Sequence, residues 1–396
     1  MYFGNNQSIN TGVMDFLGIE DHEVYWDLGD DARFMTSGMV NIYGGANLNN
    51  SAYILIDGEF LFDLPDEVRG PFYNEGIIEV LPLGRFDAVR SDYNNEGSIL
   101  YYQDYSLVLP GDADLSRVLR LSEDAHANSA DELKALMEDD SVSCIALNSP
   151  VTVEEELIVT KGLICNAPLT IDGQTAANLF IEGEGAWLVA FNELHIIGLT
   201  HLRDGGQLVT FPGNAVHLGD SLYVENSRAF LRGETTLFDD GRIELNNGKL
   251  RLLSHTELSG AEISVGNMSY FGSSSPLVLR SSNLTVDSTS EAHFNCLLDM
   301  DKASTLTNDG YVVFTSFNGY IQELRGVITN NNWIEFFVPA SISKLINNGF
   351  VQTEQNLDIH RLENMGSFNA IGGAQVDAKP KGNPVTESDE MLNFWA

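Results

Sequence analysis

Four times in the last hundred residues an asparagine closes a short apolar strand, and a new strand begins two or three residues later. The instances are Thr307-Asn308-Asp309-Gly310-Tyr311-Val312, Thr329-Asn330-Asn331-Asn332-Trp333-Ile334, Ile346-Asn347-Asn348-Gly349-Phe350-Val351 and Glu363-Asn364-Met365-Gly366-Ser367-Phe368. The unit also stands earlier, as Tyr73-Asn74-Glu75-Gly76-Ile77-Ile78 and Asn95-Glu96-Gly97-Ser98-Ile99, with Asn246-Asn247-Gly248 between. A recurrence of roughly 20 residues marks a solenoid, in which each coil buries its apolar face only against the next. Asn and Gly tolerate the left-handed backbone, so the unit is expected to turn the chain sharply. Stacked Asn side chains can also bond from coil to coil, as in cross-β ladders. Leucine-rich repeats share the period, but their leucine frame and their helix per repeat are both missing here.

The middle of the chain repeats an in–out–in strand. Leu169-Thr170-Ile171, Leu194-His195-Ile196, Val216-His217-Leu218, Ile243-Glu244-Leu245, Ile263-Ser264-Val265 and Leu284-Thr285-Val286 form the series. Alternation places the central residues outward. Read as one column, Thr170, His195, His217, Glu244, Ser264 and Thr285 stand on successive rungs about 4.8 Å apart. His195, His217 and Glu244 are then a candidate metal set or acid–base site. Ahead of the series lies a short helix: Ser129 at the N-cap and Glu132 three residues on make a capping box, with Leu133, Leu136 and Met137 on one face.

The order of helix Asp131 to Leu136, strand Val142 to Leu147, Val151-Thr152-Val153, Leu157-Ile158-Val159 and Leu169-Thr170-Ile171-Asp172-Gly173 resembles the entry into a right-handed parallel β-helix of the pectin-lyase-like superfamily. The resemblance covers residues 130 to 370 and concerns fold. It implies an all-β solenoid with a short capping helix and an N-terminal β region. The expected organisation is an N-terminal β region or cap over 1–125, a parallel β-helix over 126–375 and a flexible acidic tail over 376–396.

Enzymes of this fold act mainly on acidic polysaccharides. The resembling polygalacturonases carry N-x-D, D-D, G-H-G and R-x-K elements on consecutive coils. Here Asp239-Asp240 is the D-D candidate on the solenoid, and no Gly-His-Gly or suitably placed Arg-x-Lys accompanies it. Two carboxyls at a set distance are the requirement for glycoside hydrolysis, so Asp239 and Asp240 are the catalytic candidates. A lyase would group Arg228 and Glu234 with them around calcium. Tyr270 and Phe271, beside Gly272-Ser273-Ser274-Ser275-Pro276, read as loop aromatics able to stack on a sugar, with Arg228 as a polar partner. Tyr223, Tyr311, Tyr320, Trp333 and Phe337 are further candidates of this kind.

The net charge of −36 in 396 residues repels phosphate backbones and disfavours nucleic-acid partners. The charge fits solubility alone, with no cofactor, or the binding of calcium or another divalent cation on acidic surface. No apolar run suits a transmembrane helix, and Met1 to Asn6 shows no signal-peptide pattern. Cys144, Cys165 and Cys296 fit buried thiols rather than a disulfide framework, with a Cys144–Cys165 bridge as the alternative. The missing catalytic set points to a non-catalytic scaffold, adhesin or assembly module of a microbial surface. Its expected partner is a glycan or another surface protein, and self-association is compatible with it. The alternatives are a lyase or hydrolase on acidic polysaccharide and a subunit of a phage or injection-apparatus spike.

Overall fold

The structure is a computed structural model that describes residues 2–3, 7–17, 24–28, 33–43, 46–50, 53–62, 70–173, 177–211, 214–237, 241–315, 321–371, 373–377 and 381–383. Its sheets are all parallel and wind into a β-solenoid, the fold class the sequence implies. The chain divides into two compact units, Met1–Glu123 and Asp124–Ala396. Most of the expected tail lies outside the described residues, as do Asp239, Asp240 and Tyr320.

In the first unit each coil gives one strand to each of three sheets. Tyr53–Ile56, Glu59–Phe62 and Gly70–Asn74 make one such coil, and Ile77–Val80, Arg85–Asp87 and Ser91–Asn95 make the next. Phe60, Phe62, Phe72 and Phe86 fill the interior, with Phe60 and Phe86 5.6 Å apart on successive coils.

The second unit has two sheets. One has 13 described strands, one per coil; the other has 22, two in most coils, while Gln322–Asn330 and Ala340–Asn347 each run through their coil as one long strand. They are called the single-strand and double-strand sheets below. A typical coil runs Trp187–Ala190, then Leu194–Ile196 and Leu199–Arg203. Inward residues of both sheets form one continuous core from Ala127 to Ala370, and within it Phe294, Phe314 and Phe336 stack at 5.1 and 4.7 Å. The helix Ala130–Glu138 lays Leu133 and Met137 on the first coils. Its cap forms as expected on one side, Ser129 Oγ accepting from Glu132 N at 3.3 Å. Glu132 reaches one residue further back and accepts from Asn128 N at 2.8 Å. The three cysteines are buried as thiols.

The asparagines form the ladder that the sequence suggests. Asn308 donates to Asn330 Oδ1 at 2.8 Å, Asn330 to Asn347 at 2.9 Å and Asn347 to Asn364 at 2.7 Å. The second amide hydrogen goes to the backbone of the next coil, at Trp333 O, Phe350 O and Ser367 O. The Oδ1 atoms of Asn308 and Asn347 also accept from the N–H of Gly310 and Gly349 in the turn. Asn330 and Asn347 thus each use both amide hydrogens and accept twice, which is what permits their 0% exposure; Asn308 and Asn364, at the two ends of the run, are equally buried. Asn50, Asn74 and Asn95 repeat the ladder in the first unit at 2.7 Å.

The turn glycines have a different cause from the one expected. Left-handed backbone falls on Asn226, Asn247 and Asn267, with φ of 49°, 50° and 54°. Gly349 and Gly366 are needed for closeness instead: a Cβ there would lie 2.1 Å from Asn332 O and 2.0 Å from Gly349 O on the preceding coil. Aspartates clamp other corners. Asp301 accepts from Ser281 N of the preceding coil at 3.0 Å, from Ala303 N at 3.1 Å and from Ser304 N and Oγ at 2.9 and 2.7 Å. Burial works to raise the Asp301 carboxyl, but these hydrogen bonds outweigh it and hold it below the ordinary carboxylate range.

Two predictions follow from these corners. Asn330→Ala removes the acceptor of one buried Asn308 amide hydrogen and the donor to Asn347 Oδ1 and Phe350 O, and should destabilise the full chain by about 3 kcal/mol in urea unfolding. Asn348→Ala, at the exposed position of the turn on the next coil, should cost less than about 0.5 kcal/mol. A depressed carboxyl contributes stability that is present above its unfolded pKa and lost as pH falls through the folded one. The stability gap between wild type and Asp301→Ala should therefore be full at neutral pH. It should narrow as pH drops below about 4, read from denaturation midpoints.

Candidate functional site

Two outer faces of the second unit gather chemically capable side chains. On the double-strand sheet, Leu194–Ile196 pairs in register with Ala215–Leu218, which sets His195 beside His217. Their rings stand 5.3 Å apart at 55°. Glu193 lies two residues before His195, so alternation turns it to the same face. The ligand atoms of Glu193, His195 and His217 all lie within 4.8 Å of one another. The histidines are half-buried and the glutamate is exposed.

Glu244 is not the next rung. His217 pairs with Thr236, and Glu244 pairs with Tyr223 and Ser264 in the neighbouring column. The physical reason is the second strand per coil. Both strands show the same in–out–in pattern, and the step from Val216-His217-Leu218 to Ile243-Glu244-Leu245 crosses from one to the other. In its own column Glu244 pairs with Arg242 at 2.7 Å, whose guanidinium lies 5.9 Å from the Tyr223 ring centre. Below it His201 sits between Phe180 and Tyr223, at 6.0 and 5.7 Å.

The second face belongs to the single-strand sheet. One outward position per rung gives Arg228, Lys249, Tyr270, Glu291, Tyr311, Trp333 and Phe350 in register. The other outward column supplies His293 and Glu335. Lys249 Nζ lies 4.8 Å from the Tyr270 ring centre, and Tyr270 stands 4.9 Å from His293. Gly272 makes room for that tyrosine, since a Cβ there would meet the ring at 2.7 Å. His293 Nε2 lies 3.1 Å from Glu291. This hydrogen bond, with the charges of His293 and Lys249, holds the Glu291 carboxyl below its usual range against the effect of burial. Glu335 accepts from Tyr311 Oη at 2.7 Å and from Trp333 Nε1 at 3.0 Å. Burial, and then the carboxylate of Glu335, push the Tyr311 hydroxyl well above its ordinary value.

Tyr270 and Phe271 sit in the strand Tyr270–Ser273 rather than in a loop, and alternation separates them. Tyr270 faces outward and Phe271 is buried in the core. Arg228 lies two rungs from Tyr270 on the same column. His195 and His217 come together; Glu244, Arg228 and Tyr270 do not join them. Glu193, Glu291, His293 and Glu335 were missed as site residues. Each sits two positions from a residue of the same face, a period-two signal present in the sequence.

Comparison with protein-family models, curated proteins and solved structures finds no match to this chain. The fold defines the class, a parallel β-solenoid. Among the described residues no helix is long and apolar enough to cross a membrane.

Replacing Glu335 by Gln removes the charge that opposes Tyr311 ionisation. The Tyr311 hydroxyl should then titrate at lower pH than in wild type, followed by absorbance near 295 nm. Tyr311→Phe identifies which component of the curve belongs to it.

Proposed function

We propose that this chain is a non-catalytic solenoid scaffold that holds a glycan along the outer face of its single-strand sheet, as a surface-displayed adhesin or assembly module does. The observation that carries the reading is the column Tyr270, Glu291, Tyr311, Trp333 and Phe350. It presents one half-buried or exposed side chain per rung, four of the five aromatic. A sugar ring has an apolar face of C–H groups and a rim of hydroxyls. Tyrosine and tryptophan offer flat apolar surface with a polar tip, which matches the first. Glu291, His293 and Glu335 provide acceptors and a donor for the second. A polymer laid along the column meets one protein side chain about every 4.8 Å. The carboxylates of the strip and the net charge of −36 favour a neutral or amine-bearing glycan over an acidic one.

The pectin-lyase-like resemblance supports a polysaccharide ligand by analogy of fold alone, and the charge of the strip is what turns the reading away from the acidic polymers typical of that fold. The test is retention of the full chain on a panel of neutral, amino and acidic polysaccharides in affinity electrophoresis, with calcium and with chelator. Reducing ends and absorbance at 232 nm are followed in parallel. At least one neutral or amino polymer should retard the protein. Trp333→Ala should weaken that binding about tenfold, or roughly 1.4 kcal/mol, while leaving the polymer intact. Retardation unchanged by Trp333→Ala would remove the strip as the binding face. Depolymerisation abolished by Asp239→Ala/Asp240→Ala would replace this reading with the hydrolase or lyase one.

A further inference from the structure

We infer that Glu193, His195 and His217 form a binding site for a single divalent transition-metal ion of the zinc, nickel or copper class. The site is independent of the glycan reading, because it lies on the double-strand sheet.

Two imidazole nitrogens and one carboxylate oxygen are a donor set for a borderline ion. Calcium and magnesium prefer all-oxygen cages. Zinc bound at about 2.0–2.1 Å in a tetrahedron needs donor atoms about 3.3 Å apart. The three donors already lie within 4.8 Å of one another. The remaining closure is a matter of side-chain rotation, because the backbone beneath is held firmly. Leu194, Ile196, Val216 and Leu218, which flank the histidines, are all buried in the core. Parallel register fixes His195 against His217.

Glu193 is placed by the corner that precedes the strand. Its N–H bonds Asn192 Oδ1 at 2.9 Å, and its carbonyl accepts from Leu169 N at 3.0 Å. Continuing the register of His195 with His217, the residue opposite Glu193 on the next coil is the small Ala215, one position before Val216. The register partners of the histidines along the column are Thr170 and Thr236. Three protein donors leave a fourth coordination position for water or for a donor from a partner, the pattern of an open rather than a closed zinc site.

The experiment uses the full chain, stripped with chelator and titrated with zinc by calorimetry and with cobalt by visible absorption. The expected result is one ion per chain with low-micromolar or tighter affinity, and cobalt bands of a four- or five-coordinate site containing nitrogen. Millimolar calcium should not displace the ion. His217→Ala, His217→Gln and Glu193→Gln should each weaken binding about tenfold or more. His201→Ala, in the neighbouring column, should leave it unchanged. Far-UV circular dichroism establishes that each variant keeps its strands, which outward substitutions leave in place. Absence of stoichiometric zinc binding by the wild type overturns the inference. Binding that survives loss of both histidines, or that calcium displaces, also overturns it, because the acidic surface alone would then explain it.

Discussion

The hydrogen bond from one asparagine amide to the next is the constraint on which the corners depend. A parallel solenoid must turn its backbone at each corner, where sheet pairing lapses and polar groups face the interior. A buried amide with all its bonds made resolves this, since an unmade bond there costs more than the made bond gains. Asn308, Asn330 and Asn347 meet the condition by bonding both to the next amide and to the next backbone. The ladder carries through the corner the coil spacing that backbone pairing sets in the sheets. That spacing leaves no space for a Cβ at Gly349 or Gly366. Asparagine and glycine thus recur together because one bonds across the close approach of the coils and the other tolerates it.

Elsewhere the corners use other chemistry to the same end. Asp301 gathers N–H groups from two coils, and Ser282 and Ser304 accept backbone N–H groups from the coil before. These corners hold the coils in register, and register is what turns a repetitive sequence into surface columns. The strip from Lys249 to Phe350 and the pair His195–His217 exist only because identical positions on successive coils coincide. Neither face needs a loop. Each is mounted on strands whose alternate residues are locked in the core, so the outward side chains have fixed origins. This suits lateral recognition of an extended ligand, and it suits a metal site that needs little reorganisation.

The parallel solenoid was legible in the sequence because its signal is periodic and local. The Asn-x-Gly units, the in–out–in triplets and the capping box at Ser129 each state their structure within a few residues. The outward direction of His195, His217 and Glu244 was equally legible, since alternation is a property of the strand itself. The partnership of Glu244 with the histidines was not. It required knowing that the coils around the histidines each give two strands to one sheet, and two strands with the same pattern cannot be told apart by pattern.

The sequence by itself therefore determined the class of fold, the corners and the face on which each strand residue lies. Tertiary structure decided which outward residues are neighbours. It placed Glu193 rather than Glu244 beside the histidines, and it brought Tyr270 into one column with Tyr311 and Trp333. The physical reason is that in-coil periodicity is encoded by adjacent residues. Coil-to-coil register depends on the length of every corner between, which in this chain varies from one coil to the next.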